Sequence, residues 1–404
     1  MQKLSSVLEK YDVPVYIYDC DKIRAQYELL SSSLLDYAQI YYSMKANPNK
    51  AICQFLLEQG SQIEVSSAGE YAQAVNSNAT AEQIIFTSPG KTRQELEKVI
   101  VSGIGIINVE SFEEAEIINE IAKNNDKIVD IALRINPSDK ISNAKIKMTG
   151  VSSQFGIEEK CIDDAFISKF KSLKATRICG IQVYMGTNIL EANDIVKNTE
   201  YILGLAKDLQ EKFAIEFSYI NFGGGFGVPY FEQDKELDMD CLRKGMKELS
   251  DENRDFLKNK KLVFESGRFL MAESGKFYTK VLYVKESKGK KYLVCNGGSN
   301  FHASSAFLGR FVRNNYKMHV LNNASEDITK ANVVGPLCTP TDILGKDVLL
   351  PGNVEVGDYI VIDYSGAYGL TYSPCLFLMH DMPAELLYKD GSFTDISIRR
   401  NIYE

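Results

Sequence analysis

One lysine, Lys45, stands where a β-rich stretch gives way to a turn, in the run Tyr41-Tyr-Ser-Met-Lys-Ala-Asn-Pro48. Packing alone would not select a lysine there, because burying an unpaired ammonium is strongly unfavourable. A desolvated lysine has a depressed pKa and forms Schiff bases with aldehydes. Lys45 is therefore a candidate covalent anchor for an aldehyde cofactor. A solvated lysine at a strand end is the alternative interpretation.

Other residues able to do chemistry stand at or near the ends of β-rich runs. They are Glu64, Arg134, Tyr184 to Thr187, Gly223 to Gly225, and Glu265-Ser-Gly-Arg268. In a barrel of parallel strands all these ends lie on one rim, which is where chemistry occurs in such folds. The pattern would then bring an amine, carboxylates, guanidinium groups and a triple glycine together.

Two of these motifs suggest a ligand with a phosphate and a cationic ring. The run Asn221-Phe-Gly-Gly-Gly-Phe-Gly227 follows a predicted strand, and backbone N–H groups of such a run can close on a phosphate. It lacks the spacing of nucleotide-binding loops, so a flexible turn is the alternative. At the last strand, Arg268 is predicted to bind an anion and Glu265 a cation such as a protonated pyridine. A surface ion pair would look the same.

Two further candidates lie in the C-terminal third. Cys338 belongs to Gly335-Pro-Leu-Cys-Thr-Pro-Thr-Asp342, and Tyr368 to Ser365-Gly-Ala-Tyr-Gly369. A buried inert thiol and a core aromatic ring are the default interpretations. The tyrosine hydroxyl could also cap a phosphate.

The elements that must position these residues follow from alternating β-rich and amphipathic stretches. The predicted strands are 38–44, 62–65, 83–87, 105–109, 128–135, 178–184, 216–222 and 261–265. Eight strands with intervening helices favour an α/β fold, the (β/α)8 TIM-like barrel. A doubly wound open sheet is the alternative.

After about residue 270, short strands separated by glycine and proline turns predict a mostly antiparallel β domain. Phe277–Val284 and Tyr292–Cys295 read as a hairpin, and the early strand near Val13 is expected to pair with this sheet. The predicted domains are the barrel at 26–268 and a β-sandwich or barrel-like domain made of 1–25 and 269–404.

Composition narrows the function classes. The chain has 404 residues, 45% hydrophobic and 25% charged, which fits a globular protein of two domains. A formal net charge of −8 argues against general nucleic-acid binding. Without a bilayer-spanning apolar run or a signal-peptide core, a cytoplasmic protein is expected. Eight cysteines without a C-x-x-C pair and three distant histidines predict neither disulfides nor a metal site.

Taken together, the motifs resemble the alanine-racemase-like, fold-type III pyridoxal-phosphate decarboxylases, which include diaminopimelate and ornithine decarboxylases. The resemblance covers nearly the whole chain. The matching runs are Tyr42-Ser-Met-Lys-Ala-Asn47, Glu64-Val-Ser-Ser-Ala-Gly-Glu70, Ser88-Pro-Gly-Lys91, Gly223-Gly-Gly225, Glu265-Ser-Gly-Arg268, Gly335-Pro-Leu-Cys338 and Gly366-Ala-Tyr368.

This resemblance implies a role for each matching position. Lys45 would carry pyridoxal 5'-phosphate, and Cys338 from the second subunit of a homodimer would donate a proton near the substrate α-carbon. Glu265 would face the pyridinium nitrogen, which favours decarboxylation over racemisation. The other cofactor-binding positions would be Glu64, Arg134, Tyr184, Thr187, Gly224, Gly225, Ser266, Gly267, Arg268 and Tyr368.

Two departures from the family pattern bear on the substrate. Tyr184 replaces the histidine that usually stacks on the cofactor ring. Thr339 follows Cys338, where many members have an acidic residue that binds a distal amine, so a free diamino acid is less expected. Among family branches the chain is most similar to the glutamyl decarboxylases of butirosin biosynthesis, which act on an acyl carrier protein. Shared runs include Ala144–Val151 and Leu344–Val348.

The expected reaction is therefore decarboxylation of an L-amino-acid moiety, such as glutamyl tethered to a carrier protein, in specialised metabolism. Diaminopimelate decarboxylase, a siderophore-pathway decarboxylase and a non-catalytic cofactor-binding regulator are the alternatives. The residues predicted to contact substrate are His302, Arg313, Thr339 and Asp342. The basic run Arg310–Lys317 is a candidate docking surface for an acidic carrier, or simply a solvated face.

Overall fold

A computed structural model describes residues 4–138, 153–306 and 314–398 of the chain. The run Ala144–Val151, the predicted substrate residue Arg313 and the first four residues of the basic run Arg310–Lys317 lie outside these residues. The described strands are β1 (Val15–Asp19), β2 (Gln39–Ser43), β3 (Gln62–Val65), β4 (Ile84–Thr87), β5 (Ile106–Val109), β6 (Val129–Asn136), β7 (Ile157–Glu158), β8 (Thr176–Val183), β9 (Tyr219–Asn221), β10 (Lys261–Ser266), β11 (Gly275–Ser287), β12 (Lys290–Cys295), β13 (Met318–Val320), β14 (Ile328–Val334), β15 (Ile343–Pro351), β16 (Tyr359–Ile362), β17 (Ala384–Lys389) and β18 (Ser392–Asp395).

The described helices alternate with many of these strands along the chain. They are α1 (Leu4–Leu8), α2 (Cys20–Ser31), α3 (Lys50–Glu58), α4 (Ala68–Asn76), α5 (Arg93–Val101), α6 (Phe112–Asn124), α7 (Asp164–Ser172), α8 (Ala192–Phe213), α9 (Met239–Glu252), α10 (Arg254–Leu257) and α11 (Arg268–Met271). Within the described ranges, no helix is both long and apolar enough to cross a membrane.

Eight parallel strands close into a barrel. Their order is β2-β3-β4-β5-β6-β8-β9-β10, with β10 pairing back onto β2 and the short β7 added beside β6. The strands read as apolar runs because both of their faces are covered: every residue of β4 and β5 is buried. The predicted TIM-like barrel is confirmed, and the doubly wound open sheet is wrong because the ring has no free edge.

Short polar caps start the helices that follow several barrel strands. The side-chain oxygens of Ser67, Thr92, Ser111, Asp163 and Asp238 each accept a backbone N–H from the first turn of a helix. Such caps satisfy amide groups that have no partner within the helix. They fix where each strand-to-helix loop ends, and therefore how each strand end faces the rim.

The remaining strands form a mostly antiparallel sheet. Its order is β15-β14-β12-β11-β1-β17-β18, while β16 pairs with both β11 and β13. Strand β1 runs antiparallel to β11 and parallel to β17, so the expected return of the N-terminal strand to this sheet is confirmed. The predicted hairpin is β11–β12, joined at Lys288 and Gly289, both with positive φ, as in a type I′ turn.

The chain divides into two compact units, one of residues 26–228 and 236–269, the other of 1–25, 229–235 and 270–404. The domain boundaries predicted from the sequence differ only at 229–235 and at residue 269, and we retain them as a proposal. Strand boundaries shift more: the run predicted at 216–222 is the shorter β9, and Tyr184 lies just beyond β8. The sequence did not predict β7, β13, β17 or β18.

The close contact between β8 and β9 requires a glycine at Gly180. A Cβ added at Gly180 of β8 would stand 1.7 Å from the carbonyl oxygen of Tyr219, its partner on β9. We expect Gly180→Ala to force the two strands apart and to destabilise the protein by about 1–3 kcal/mol or more. Thermal unfolding measures the loss.

The matched control is Gly204→Ala in the middle of α8, where an added Cβ would meet no atom within 4 Å. Alanine there should stabilise the helix by roughly 1 kcal/mol. A Gly180→Ala protein that unfolds at or above the wild-type temperature would contradict the close approach of β8 and β9.

Candidate active site

Lys45 lies in a short 3₁₀ turn, Met44–Ala46, directly after β2. Its two neighbours are fully buried, whereas 47% of its own side chain is exposed. The Nζ atom stands 3.8 Å from Oε2 of Glu64, whose side chain is 1% exposed. The amine is thus held at the barrel rim beside a buried carboxylate.

Each of the eight barrel strands carries a buried polar side chain at its carboxyl end or within two residues of it. They are Ser43, Glu64, Thr87, Asn108, Arg134, Gln182, Asn221 and, on β10, Glu265 with Ser266 beside it. Several are direct neighbours across strands, as in the row Arg134, Gln182 and Asn221. Below them an apolar cluster that includes Ile85, Ala132 and Val263 fills the barrel. Buried polar groups are unfavourable unless they are paired or bind a ligand, so this polar ring marks the candidate site.

Glu265 is the most constrained carboxylate of the ring. Its Oε1 accepts hydrogen bonds from Nδ2 of Asn221 at 2.8 Å and from Nε2 of Gln182 at 3.5 Å. Burial, followed by the nearby charge of Glu64, raises the pKa of Glu265 to about 7. Lys45 and the Asn221 hydrogen bond oppose this rise. A buried carboxylate of this kind is suited to face a cationic group.

The glycine loop after β9 packs too closely for side chains. Gly223 and Gly225 have φ of +65° and +115°, values that favour glycine. A Cβ on Gly224 would stand 2.4 Å from the carbonyl oxygen of Glu265, and one on Gly225 would stand 2.5 Å from that of Gly186. Beside the loop, the Ser266 hydroxyl is buried without a hydrogen-bond partner among the described residues. The predicted anion-binding loop therefore has a fixed shape.

Arg134 ends a buried chain of charges. Its Nη1 contacts Glu110 at 2.7 Å, and its guanidinium stacks on the Phe155 ring at 4.8 Å. The backbone N–H of Glu110 donates to Glu114, and Glu114 pairs at 2.6 Å with Lys91, whose side chain is fully buried. Burial lowers the pKa of Lys91 and raises that of Glu114, while their pairing opposes both shifts.

The other candidates lie in the second unit or at the rim. Tyr184 and Thr187, in the loop after β8, are half-buried. Cys338 is exposed, and the Thr339 beside it is half-buried. Tyr368 is half-buried with φ of +61°, and its carbonyl oxygen accepts a hydrogen bond from the Ser304 hydroxyl.

Two of the predicted substrate residues hold backbone or hydroxyl groups of their own unit. Asp342 accepts the N–H groups of Ser299 and Leu337 at 2.6 and 2.8 Å, which fixes the loop that carries Cys338. The ring of His302 is fully buried: Nδ1 accepts from Ser305 N–H, so Nε2 donates to the Ser365 hydroxyl at 2.8 Å. Their substrate roles stay predictions.

Sequence reasoning assigned no role to several residues of this site. Gln182 and Asn221 interrupt otherwise apolar strands, and that interruption was the available signal. Glu110 and Glu114 gave none, because charged residues in loops and helix starts are usually solvated. Lys91 ends the matching run Ser88-Pro-Gly-Lys91, but that run carried no role for it. In the described ranges no three His, Cys, Asp or Glu side chains are grouped as metal ligands.

Comparison with known proteins places this geometry in a family. Residues 20–272 match the family described as pyridoxal-dependent decarboxylase, pyridoxal binding domain. The chain is 39% identical to an L-glutamyl-[BtrI acyl-carrier protein] decarboxylase of Niallia circulans, over 97% of this chain and 92% of that one. The chain belongs to the pyridoxal-dependent decarboxylases. It is therefore an amino-acid decarboxylase whose cofactor is pyridoxal phosphate.

Two further relatives match this chain over almost its whole length. A 2-[(L-alanin-3-ylcarbamoyl)methyl]-2-hydroxybutanedioate decarboxylase of Staphylococcus aureus is 32% identical over 94% of this chain and 95% of its own. The crystal structure of diaminopimelate decarboxylase from Helicobacter pylori complexed with L-lysine has a TM-score of 0.87 at 26% identity, covering 98% of this chain and 97% of that one. These relatives are named decarboxylases, so the non-catalytic alternative finds no support.

The residues at the barrel rim fit this cofactor. An aldehyde needs the amine of Lys45, a pyridine nitrogen suits the buried Glu265, and a phosphate suits the glycine loop with the Ser266 hydroxyl. Oε2 of Glu64 and Oε1 of Gln182 are also buried without hydrogen-bond partners among the described residues. Such polar atoms are rarely left unpaired in a protein interior. The ring of polar side chains therefore offers hydrogen-bonding groups to a polar ligand.

The buried charge chain predicts a large effect of removing Lys91. Lys91→Met keeps the length of the side chain but leaves Glu114 buried without its cation. We expect a loss of about 3–5 kcal/mol in the free energy of unfolding, measured by denaturant titration. The control is Lys247→Met, which removes an exposed lysine paired with Asp36 and Asp251. It should leave the midpoint unchanged. Equal unfolding midpoints for Lys91→Met and Lys247→Met would contradict the importance of the buried chain of charges.

Glu70, in the first turn of α4, predicts a pH dependence. Burial raises its pKa from the usual 4.5 to about 7. The folded chain then binds this proton more tightly than the unfolded chain, so stability falls as pH rises from about 4.5 to about 7. Glu70→Gln removes that loss. In the cofactor-free protein, the unfolding temperature of the variant relative to wild type should rise between roughly pH 5 and pH 8.

The matched control is Glu95→Gln. Hydrogen bonds from the N–H groups of Thr92 and Ala68 lower the pKa of Glu95, so its titration lies below this pH range. The difference in unfolding temperature between Glu95→Gln and wild type should therefore stay constant over this pH range. A constant difference for Glu70→Gln as well would mean that Glu70 is ionised throughout.

Proposed function

We propose that this enzyme removes the α-carboxyl group, as CO₂, from a glutamyl group that is bound to an acyl carrier protein through a thioester. The observation that carries the proposal is the 39% identity, over almost the full chain, to a decarboxylase named for that substrate. Thr339 supports it, because a side chain without charge at this position offers no partner to the distal amine of a diamino acid.

Each residue predicted to bind the cofactor has a role in this proposal. Lys45 binds the cofactor covalently, and the ionised Glu265 carboxylate keeps the pyridine nitrogen protonated. The phosphate is bound by Gly224, Gly225, Thr187, Ser266, Gly267, Arg268 and Tyr368. Tyr184 covers one face of the ring, while Glu64 and Arg134 bind its polar edge. Bound pyridoxal phosphate supplies an electron sink for the electron pair released when the carboxylate leaves.

The chain's own groups prepare and complete the reaction. Glu265 and Glu64 are almost fully withdrawn from water, which strengthens every electrostatic interaction at the rim. Lys45 would hold the cofactor until the substrate binds, and its amine would then be available to move protons. The α-carbon receives its proton from Cys338 or from Lys45. We also propose that Asp342 serves this step indirectly, by fixing the loop that carries Cys338.

Two other substrates remain as candidates. The Helicobacter pylori structure, a diaminopimelate decarboxylase with the same fold, favours free diaminopimelate. The Staphylococcus aureus relative favours a larger carboxylate-rich amino acid. Both compounds carry a free α-amino acid group, so the same rim residues would serve.

A direct comparison of substrates tests the proposal. Purified enzyme is given glutamyl-loaded carrier protein, free glutamate or free diaminopimelate, and mass spectrometry follows the loss of CO₂. We expect turnover of the carrier-bound glutamyl group and none by Lys45→Ala. The control variant is Lys50→Ala, which removes an exposed lysine at the start of α3. Turnover of free diaminopimelate, without reaction of the carrier, would overturn the proposal.

We propose further that the enzyme is a homodimer with Cys338 of one subunit serving Lys45 of the other. Tyr372, Leu376, Phe377, Leu378 and Met379 form a run of exposed apolar side chains in the second unit. Apolar patches of this kind commonly mark protein interfaces, and closed dimers are the commonest assemblies. The cytoplasmic location expected from the sequence stays a prediction.

Mixing two variants, each of which lacks one residue of the proposed shared site, tests this arrangement. Lys45→Ala and Cys338→Ala subunits are dissociated and recombined in equal amounts. Half of the dimers are then mixed, and each has one intact site, so we expect up to about a quarter of wild-type activity. Recombining Lys45→Ala with itself is the control. If the mixture is no more active than the separate variants, Cys338 does not act across the interface.

A further inference from the structure

The side chain of Asn221 connects the two ends of the cofactor site. It is fully buried at the end of β9. Its Oδ1 accepts the N–H of Gly223 at 2.8 Å, and its Nδ2 donates to Oε1 of Glu265 at 2.8 Å and to the Tyr219 hydroxyl at 2.7 Å. Both donors and the acceptor of the amide are therefore in use.

The orientation of this amide follows from its partners. A backbone N–H can only donate, so the atom that faces Gly223 must be the oxygen. The nitrogen then faces Glu265 and presents a hydrogen to it. A carboxylate that accepts a hydrogen bond is stabilised in its charged form. Asn221 therefore opposes the burial and the Glu64 charge, both of which favour the protonated form of Glu265.

The same amide fixes the position of the glycine loop relative to Glu265. The N–H of Glu265 donates to the carbonyl oxygen of Gly223 at 2.7 Å, while Gly223 donates back to Asn221. Gly223 has little freedom to move, because a Cβ there would lie 2.5 Å from the carbonyl oxygen of Val183. Three hydrogen bonds thus join the loop, Asn221 and the strand that carries Glu265.

We propose that Asn221 is a positioning residue for the cofactor: it holds the Glu265 carboxylate ionised and in register with the phosphate-binding glycine loop. An aspartate would fit the same space, but it would bring a second acceptor to Oε1 of Glu265 in place of the donor. The inference depends on the proposed role of Glu265 at the ring nitrogen.

The experiment measures the cofactor rather than turnover. Holoenzyme is reconstituted with pyridoxal phosphate labelled with ¹⁵N in the ring, and the NMR shift of that nitrogen reports its protonation. In Asn221→Asp we expect the signal to move towards that of an unprotonated ring. We also expect the Kd of pyridoxal phosphate to rise about tenfold or more, as for a lost hydrogen bond to a buried charge. Asn221→Ser, smaller and uncharged, should lower affinity in the same direction if the aspartate variant does not fold.

The matched control is Asn332→Asp, the same change at a buried amide of β14 that donates to the carbonyl oxygen of Lys291 at 3.3 Å and does not belong to the polar ring of the barrel. Its ring-nitrogen signal should equal that of wild type. If Asn221→Asp, or Asn221→Ser in its place, keeps the wild-type signal and Kd, the inference is overturned.

A third variant separates this outcome from failure of the proposed function. Glu265→Gln removes the carboxylate itself. If its ring-nitrogen signal equals that of wild type, Glu265 does not face the pyridine nitrogen, and the proposed role of Glu265 is wrong together with the inference. If Glu265→Gln shifts the signal and Asn221→Asp does not, only the positioning role of Asn221 is overturned.

Discussion

The burial of one carboxylate, Glu265, is the constraint on which the barrel rim depends. A charge withdrawn from water is tolerated only with partners, and Glu265 receives them from two neighbouring strands through Asn221 and Gln182. The parallel register places the two donors opposite each other on β8 and β9, and it places Glu265 two residues beyond Val263, the residue of β10 that faces Asn221. The closed barrel is therefore what keeps this carboxylate both buried and ionisable, as its proposed role at the ring nitrogen of pyridoxal phosphate requires.

On the other side of the rim, buried charges are stabilised by contacts with one another. Arg134 pairs with Glu110 and Lys91 pairs with Glu114, so each of these charges has an opposite neighbour. The backbone N–H of Glu110 joins the two pairs by donating to Glu114. The glycine loop completes the rim without adding charge, because it can bring backbone N–H groups close to an anion. Fixed dipoles and paired charges of this kind need little reorganisation during a reaction, which is how such sites stabilise developing charge.

Most of the barrel could be predicted from the sequence, because buried parallel strands appear as apolar runs and several helices begin with a polar cap. Lys45, Glu265 and the glycine loop could be found because they stand at strand ends. Asn221 and Lys91 could not be assigned roles, since their importance lies in partners that are distant in sequence, such as Glu265 and Glu114. Strands β17 and β18 were missed for a related reason: β17 gains its place by pairing with β1, over 360 positions earlier in the chain.

The central claim is that Lys45 anchors pyridoxal phosphate at this rim. The most direct test is to reduce the holoenzyme with borohydride, which makes the bond between lysine and cofactor permanent, and to map the modified peptide by mass spectrometry. The account predicts a pyridoxyl group on Lys45. A modification on another lysine, such as the buried Lys91, or on no lysine at all, would contradict it.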